Sequence, residues 1–254
     1  MYTAFASVYD RLMYDVDYLR WANFYHKLIE DAGITHGKLC ECACGTGSLS
    51  IPLYKLGYQV TGVDISSDML FEASQKARKA GAMIPFVRQD MRKLKLHRPM
   101  DCVLCTNDGL NYIETEEELT EFFTSAYAIL KPGGVIAMDL STPYKLKHVL
   151  GDYFIGDETS EIAYLWQNRY NNEKHYVDLD LAVFVKKQKD GDEYIRIGEQ
   201  QRQYSHGRDT LTRALANSGF ETIQFFADKI LTAPAENETR WFIRAKKHLH
   251  ITDI

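Results

Sequence analysis

No stretch of about 18 apolar residues occurs in the 254-residue sequence, so no membrane-spanning helix is expected. The first ten residues, Met-Tyr-Thr-Ala-Phe-Ala-Ser-Val-Tyr-Asp, lack the basic start and apolar core of a signal peptide, which makes cytoplasmic residence the default expectation. Basic residues are not in excess. A net charge of −5 gives no general attraction to nucleic acid, although it leaves room for a local basic patch. Cysteine is scarce and odd in number: five, which argues against a disulfide framework. Cys40, Cys42 and Cys44 alternate, so on a strand they share one side but spread along it instead of converging on a metal. They, with Cys102 and Cys105, read as small buried apolar groups, and no metal site is expected. Two phosphate-binding signatures are also missing. The Gly-Lys-Ser/Thr of a nucleoside triphosphate loop is absent, and the dinucleotide fingerprint stops short because Ser50 stands where its third glycine or alanine belongs.

What is present is an ordinary globular composition, 45% apolar and 26% charged, in a chain long enough for one large α/β domain with a substantial insertion. The stretch around which it is organised is Leu39-Cys-Glu-Cys-Ala-Cys-Gly-Thr-Gly47. It reads as a buried strand of a parallel sheet ending in a glycine turn, with a helix following from Ser48 to Leu56. Gly45 and Gly47 permit positive φ and let a ligand approach the backbone. Glu41, near the strand end, opposes a pyrophosphate and suits a cation. Tyr58 to Asp64 reads as the second strand. Asp64 lies about twenty residues beyond the turn, the spacing at which an acid accepts from both ribose hydroxyls.

Glu41-x-x-Cys44-Gly45-Thr46-Gly47 resembles the first motif of the class I S-adenosylmethionine-dependent methyltransferases, with Ala43 where that family usually has glycine. The resemblance implies a Rossmann-like, seven-stranded, mostly parallel sheet with an antiparallel last strand lying between the fifth and sixth. It implies S-adenosylmethionine as cofactor, held by Glu41, Ala43, Gly45, Thr46, Gly47 and Asp64, with Ile65 and Met69 against the adenine. Asp90 and Met91, after a third strand at Ile84 to Arg88, match the family's adenine-amino position. Asn107, after a fourth strand at Met100 to Thr106, borders the cofactor, and Asp108, Asn111 and Tyr112 are substrate-side candidates. Asn-Pro-Pro-Tyr, typical of enzymes that methylate planar amide or base nitrogens, is absent. Relatives with a similar Tyr-Asp-x-Leu/Met start use it to cover cofactor and substrate. That brings in Tyr9, within the aromatic segment Tyr2, Phe5, Tyr9 and Tyr14, ahead of a helix from Tyr18 to Asp31.

Thr115 with Glu118 forms a capping box for a helix ending near Leu130. Lys131-Pro-Gly-Gly134 reads as a sharp turn into a fifth strand, Val135 to Leu140. The α/β rhythm then stops. After a loop or short helix around Lys145 to Leu150, Ile162 to Tyr170, His175 to Lys186 and Tyr194 to Tyr204 read as a three-stranded antiparallel sheet with turns at Asn171-Asn172 and Asp190-Gly191. Residues 1–140 and 205–254 thus make a cofactor-binding domain, and 141–204 an inserted antiparallel β cap on the substrate side. Trp166, Arg169, Tyr176 and Arg202 read as cap sheet residues and secondary pocket candidates. A helix to Ser218 and strands at Phe220 to Asp228 and Thr239 to Lys247 complete the fold, and 248–254 reads as a frayed tail.

The expected activity is methyl transfer to an oxygen or nitrogen of a small molecule. Alignment of donor and acceptor supplies most of the acceleration, about 10⁵ M or more in effective molarity, so a dedicated base is not required. Asp108, His206, His175 and Tyr9 are the candidates if one exists. Two other readings stay open: a nicotinamide-dependent oxidoreductase, disfavoured by Ser50 and Glu41, and a cofactor-binding module or RNA methyltransferase working with a partner. The acceptor and the oligomeric state are not encoded in any of these patterns.

Overall fold

The structure, a computed structural model, describes residues 3–188 and 191–249. Tyr2, Asp190 and residues 250–254, on which some expectations fell, lie outside them. A seven-stranded sheet forms the centre: β1 (Lys38–Cys42), β2 (Gln59–Asp64), β3 (Phe86–Arg88), β4 (Met100–Cys105), β5 (Leu130–Ser141), β10 (Phe220–Phe226) and β11 (Arg240–Lys247). Its order is β10-β11-β5-β4-β1-β2-β3, and β11 runs antiparallel to both neighbours. The expected insertion of the last strand beside the fifth is therefore seen. β1 pairs in parallel with β2 and β4, so its end sits mid-sheet where the strand order reverses. That crevice is where open α/β sheets bind ligands.

Both sheet faces are covered. Cys40, Cys42, Val103, Cys105, Ile136 and Met138 pack with α5 (Glu116–Ile129) and α6 (Arg208–Asn217) through Phe122, Phe123, Leu211 and Leu215. Their alternate neighbours Leu39, Cys102, Leu104 and Ala137 pack with α2 (Tyr18–Glu30) and α3 (Ser50–Lys55). Period-two alternation with both sides apolar explains the near-continuous hydrophobic runs. All five cysteines are buried free thiols. Among the described residues, no group of three His, Cys, Asp or Glu side chains is placed to hold a metal, and no helix is long and apolar enough to cross a membrane.

Helix starts follow local chemistry. Asp17 accepts from Arg20 N at 2.9 Å to open α2, and Ser66 accepts from Met69 N at 3.3 Å to open α4 (Ser67–Lys79). Thr115 accepts from Glu118 N at 3.2 Å, but the reciprocal half of the capping box is shifted. Glu118 reaches back to Glu114 N at 3.0 Å while also pairing with Arg92.

Three expectations change. The Lys131–Gly134 run is not a separate turn but a bulged part of β5. Leu130 pairs with Met100 and Val135 with Cys102, so five steps along β5 face two along β4. β3 starts at Phe86, after Pro85, instead of at Ile84. The cap sheet has four strands, ordered β6-β7-β8-β9: β6 (Phe154–Glu158), β7 (Ile162–Asn171), β8 (Tyr176–Lys186) and β9 (Tyr194–Tyr204). β6 is exposed throughout, so no alternation marks it, and its pairing with Ala163–Gln167 of β7 alone makes it a strand.

Two helices join the cap to the main sheet. α1 (Thr3–Leu12) puts Phe5, Ala6 and Val8 between Met69 of α4 and Ile162 and Val183 of the cap. A short helix at Lys145–Leu150 sets Leu146 against Val177 and Leu179. Each such buried large side chain contributes about 1.5–3 kcal/mol relative to exposure.

Candidate functional site

A cavity of about 390 Å³ opens over the carboxyl ends of β1, β2 and β4. Its floor begins where β1 ends. Ala43, Gly45 and Gly47 all have positive φ, at 51°, 53° and 69°. This gives Ala43 a physical reading: glycine is usual there because the backbone is left-handed, and alanine accepts a strain of about 1–2 kcal/mol. A Cβ on Gly45 would meet nothing within 4 Å, because the position faces open space. A Cβ on Gly47 would come within 2.9 Å of Phe86 Cζ. Gly47 therefore serves packing behind the turn and is not part of the cavity wall, whereas Glu41, Ala43, Gly45 and Thr46 are.

Glu41 is buried, and its carboxylate accepts from Ser50 Oγ and, at 3.2 Å, from Thr106 Oγ1. Burial raises its pKa to about 7, against the pull of those two hydroxyls. The serine that breaks the dinucleotide fingerprint is thus a donor to the acid. Asp64 accepts from Gly45 N at 2.8 Å on one oxygen and from Ser66 N at 2.9 Å on the other. A carboxylate has acceptor capacity beyond these bonds, and Asp64 lines the cavity. Burial raises this carboxyl too, opposed by the backbone donors.

The turn is clasped from above. Thr46 Oγ1 donates to Asp10 at 2.6 Å, and Lys76 of α4 donates to Thr46 and Ser48 at 3.0 and 2.7 Å while pairing with Asp10. One such half-exposed ion pair is worth little by itself. Shared among four side chains, it fixes α1 on the turn and places Tyr9 in the cavity wall.

Ile65, Met69, Asp90, Met91 and Asn107 also line the cavity. Asp90 is held below the ordinary carboxylate range by Arg92, which donates to it at 2.7 to 3.1 Å and to Glu118 with another nitrogen. Asn107 and Asp108 both have positive φ. Their N–H groups donate to the buried Asp139 at 2.8 and 3.3 Å, and Tyr25 Oη adds a third donor at 2.6 Å. Arg240 closes the cluster, pairing with Asp139 and, at 2.7 and 3.0 Å, with Asp108.

The base candidates separate accordingly. Tyr9 is in the wall, with its hydroxyl raised by burial and by neighbouring Tyr18 and Tyr112. Asp108 lies behind the wall. Burial works to raise it, but Arg240 and Lys145 outweigh that and hold it at about 2, with Ser141 Oγ donating at 2.9 Å. His206 is buried away from the cavity, bonded through Nε2 to Ile113 O at 2.9 Å and pushed down by burial. His175 sits at the β7–β8 turn. Asn111 is fully buried and faces no substrate space: it donates to Ser141 O and Tyr204 O at 3.0 Å and accepts from Ser141 N, riveting cap to core.

Trp166, Arg169, Tyr176 and Arg202 stay in the cap sheet. Trp166 bonds Asn168, Arg169 pairs with Asp180, and Arg202 pairs with Asp178 over the Tyr176 ring. The cap residues in the wall are instead Gln201 and Tyr204, with Tyr18 entering from α2. The available signal was Gln200-Gln201-Arg202-Gln203, polar on both faces of a strand and so unsuited to a packed inner face.

Residues 39–134 match the methyltransferase domain family. YqeM of Bacillus subtilis is 34% identical over 97% of this chain and 97% of its own, and a protein of Geobacillus sp. strain WCH70 is 34% identical over 97% and 99%. Both bear the name methyltransferase, with no substrate attached. The crystal structure of an S-adenosylmethionine-dependent methyltransferase from Clostridium acetobutylicum superposes with a TM-score of 0.86 at 27% identity, covering 97% of this chain and 99% of that one. Sheet order, crevice and relatives agree, and the chain belongs to the class I S-adenosylmethionine-dependent methyltransferases.

Proposed function

We propose that this methyltransferase acts on a small molecule bound between the glycine turn and the β cap. The observation that carries the reading is a single cavity. Its wall joins two unlike sets of residues: Glu41, Gly45 and Asp64 from the central sheet and its glycine turn, and Tyr112 with the cap residues Gln201 and Tyr204. A volume of about 390 Å³ lies in the range of small-molecule sites. The division into a cofactor domain, residues 1–140 and 205–254, and a substrate cap, 141–204, belongs to the same proposal. So does a reducing, cytoplasmic setting, supported by five unpaired buried thiols.

The residues fit the cofactor. A pyrophosphate would meet the carboxyls of Glu41 and Asp64, whereas a nucleoside carrying positive charge and no phosphate meets complementary groups. Glu41 would hold the positively charged methionine part and Asp64 the ribose hydroxyls. Ile65, Met69 and Met91 would flank the adenine, and Asp90 its amino group. Bound there, the sulfonium supplies an electrophilic methyl group. Asn107 borders the reacting end, fixed by the bonds its loop makes to Asp139. α1 packs between α4 and the cap beside the cavity, and its Tyr9 forms part of the wall.

Calorimetry with S-adenosylhomocysteine and with NAD tests the cofactor end. The expected result is binding of the nucleoside alone, weakened by Asp64→Ala. Binding of NAD alone overturns the assignment of these residues. Transfer of a trideuteromethyl label to small molecules of a cell extract, and not to its RNA or protein, tests the acceptor end. Label in macromolecules alone overturns it.

A further inference from the structure

We infer that the acceptor is an amine, held as a cation between the wall tyrosines, Tyr204 of the cap among them, and Glu114. This rests on the proposal that the cap end of the cavity is the acceptor site. Tyr9, Tyr18, Tyr112 and Tyr204 line the cavity, and ring faces attract cations. Tyr112 Oη donates to Gln201 Oε1 at 2.6 Å, and the Gln201 side chain also bonds the Glu199 carboxylate. The Tyr204 hydroxyl is bonded to two groups of opposite charge, Arg202 and Glu114, the latter an exposed residue of the cavity wall. Among the described residues, the guanidinium in the wall, Arg92, is already committed to Asp90 and Glu118, and Arg202, which bonds the Tyr204 hydroxyl from outside the wall, is paired with Asp178. A carboxylate or phosphate on the acceptor would compete with those pairs, and Glu114 repels one.

The same wall argues against a hydroxyl acceptor. No histidine or lysine lines it among the described residues. Its thiol, Cys44, is pushed up by burial, as are the hydroxyls of Tyr9, Tyr18 and Tyr204, with Tyr18 reaching about 12. An alcohol is a weak nucleophile unless a positioned base takes its proton, whereas an amine, once it has lost one proton to water, attacks through its own lone pair. The balance is then simple. The neutral nitrogen forms a bond to the methyl carbon as the carbon–sulfur pair goes to sulfur, and the positive charge moves from sulfur to nitrogen. The new ammonium, within reach of Glu114 and the rings, sheds its proton at the mouth.

The test uses the full chain saturated with S-adenosylhomocysteine and titrated calorimetrically with phenethylammonium and, as neutral isostere, phenethyl alcohol. The expected result is at least fivefold tighter binding of the ammonium, falling below twofold in Glu114→Gln. Tyr204→Phe, which removes the hydroxyl bonded to Glu114, is expected to keep more of the preference. Equal binding of the two probes, binding of neither to the saturated protein, or a preference that survives Glu114→Gln overturns the inference. Failure of S-adenosylhomocysteine itself to bind is a separate result, and it overturns the cofactor site on which the inference rests.

Discussion

At the residue scale, the most informative group is Glu41. Its pKa is about 7 in the fold against 4.5 without it, because burial penalises the charge. Between those values the folded chain keeps a proton that the unfolded chain has released. Stability therefore falls as pH rises across that window, and the fall ends near pH 7. Cofactor binding runs the other way. A positive ligand selects the ionised acid, so binding releases a proton and tightens with rising pH, by at most tenfold per unit and only up to about 7. Calorimetry in buffers of different ionisation enthalpy should show proton release near pH 6 in the natural protein. It should lose the Glu41 share in Glu41→Gln, along with the downward trend in stability between pH 5 and 7. An unchanged proton count in that variant would remove Glu41 from the ligand's surroundings.

At the element scale, the two glycines of the β1 turn do different work, and alanine should separate them. Gly47→Ala adds a Cβ where Phe86 and Ala73 already lie within 3.1 Å, on a backbone with φ of 69°. Overpacking and left-handed strain each cost about 1–3 kcal/mol, so thermal unfolding should move down by several degrees. Gly45→Ala meets open space and carries the strain alone, about 1–2 kcal/mol. Its main effect should be weaker cofactor binding, read by calorimetry, because the new methyl occupies the face a ligand approaches. If both variants melt alike and bind alike, the distinction between wall and packing glycine is wrong.

Across the whole molecule, two buried polar devices hold distant parts of the chain together. Arg240 of β11 joins Asp139 of β5 to Asp108 of the loop after β4. Arg240→Met leaves buried Asp139 without its ion-pair partner and Asp108 with Lys145 alone, which costs about 3–5 kcal/mol. Denaturant titration should show that loss at neutral pH. It should shrink on acidification towards pH 2, because Asp108, held at about 2 in the fold, contributes stability above its unfolded pKa and loses it as the pH falls through its folded one. Asn111 is the second device. Asn111→Ala strands the buried Ser141 N–H and releases its carbonyl and that of Tyr204, at about 1–3 kcal/mol for the unsatisfied group. Hydrogen exchange should then quicken at the β9 end nearest Tyr204 before it quickens in β1.

The sequence by itself determined the doubly covered sheet and its glycine turn. Unbroken apolar runs at Leu39, Val103 and Ile136 fit only strands buried on both faces, and left-handed backbone at Gly45 and Gly47 is chemically marked. It also marked Glu41 and Asp64, which stand near the ends of their strands beside the turn, and the family resemblance added Asp90 after β3. What only the tertiary structure decided is which polar side chains face the ligand and which face one another. Asp108, Asn111 and His206 are as polar as Gln201 and Tyr204, yet the first three are turned inward to partners up to 132 positions away in the chain. Pairing over such separations leaves no periodic trace in either segment. The exposed strand β6 and the bulge in β5 were hidden for a related reason: each is defined by the neighbour it pairs with and not by its own side chains.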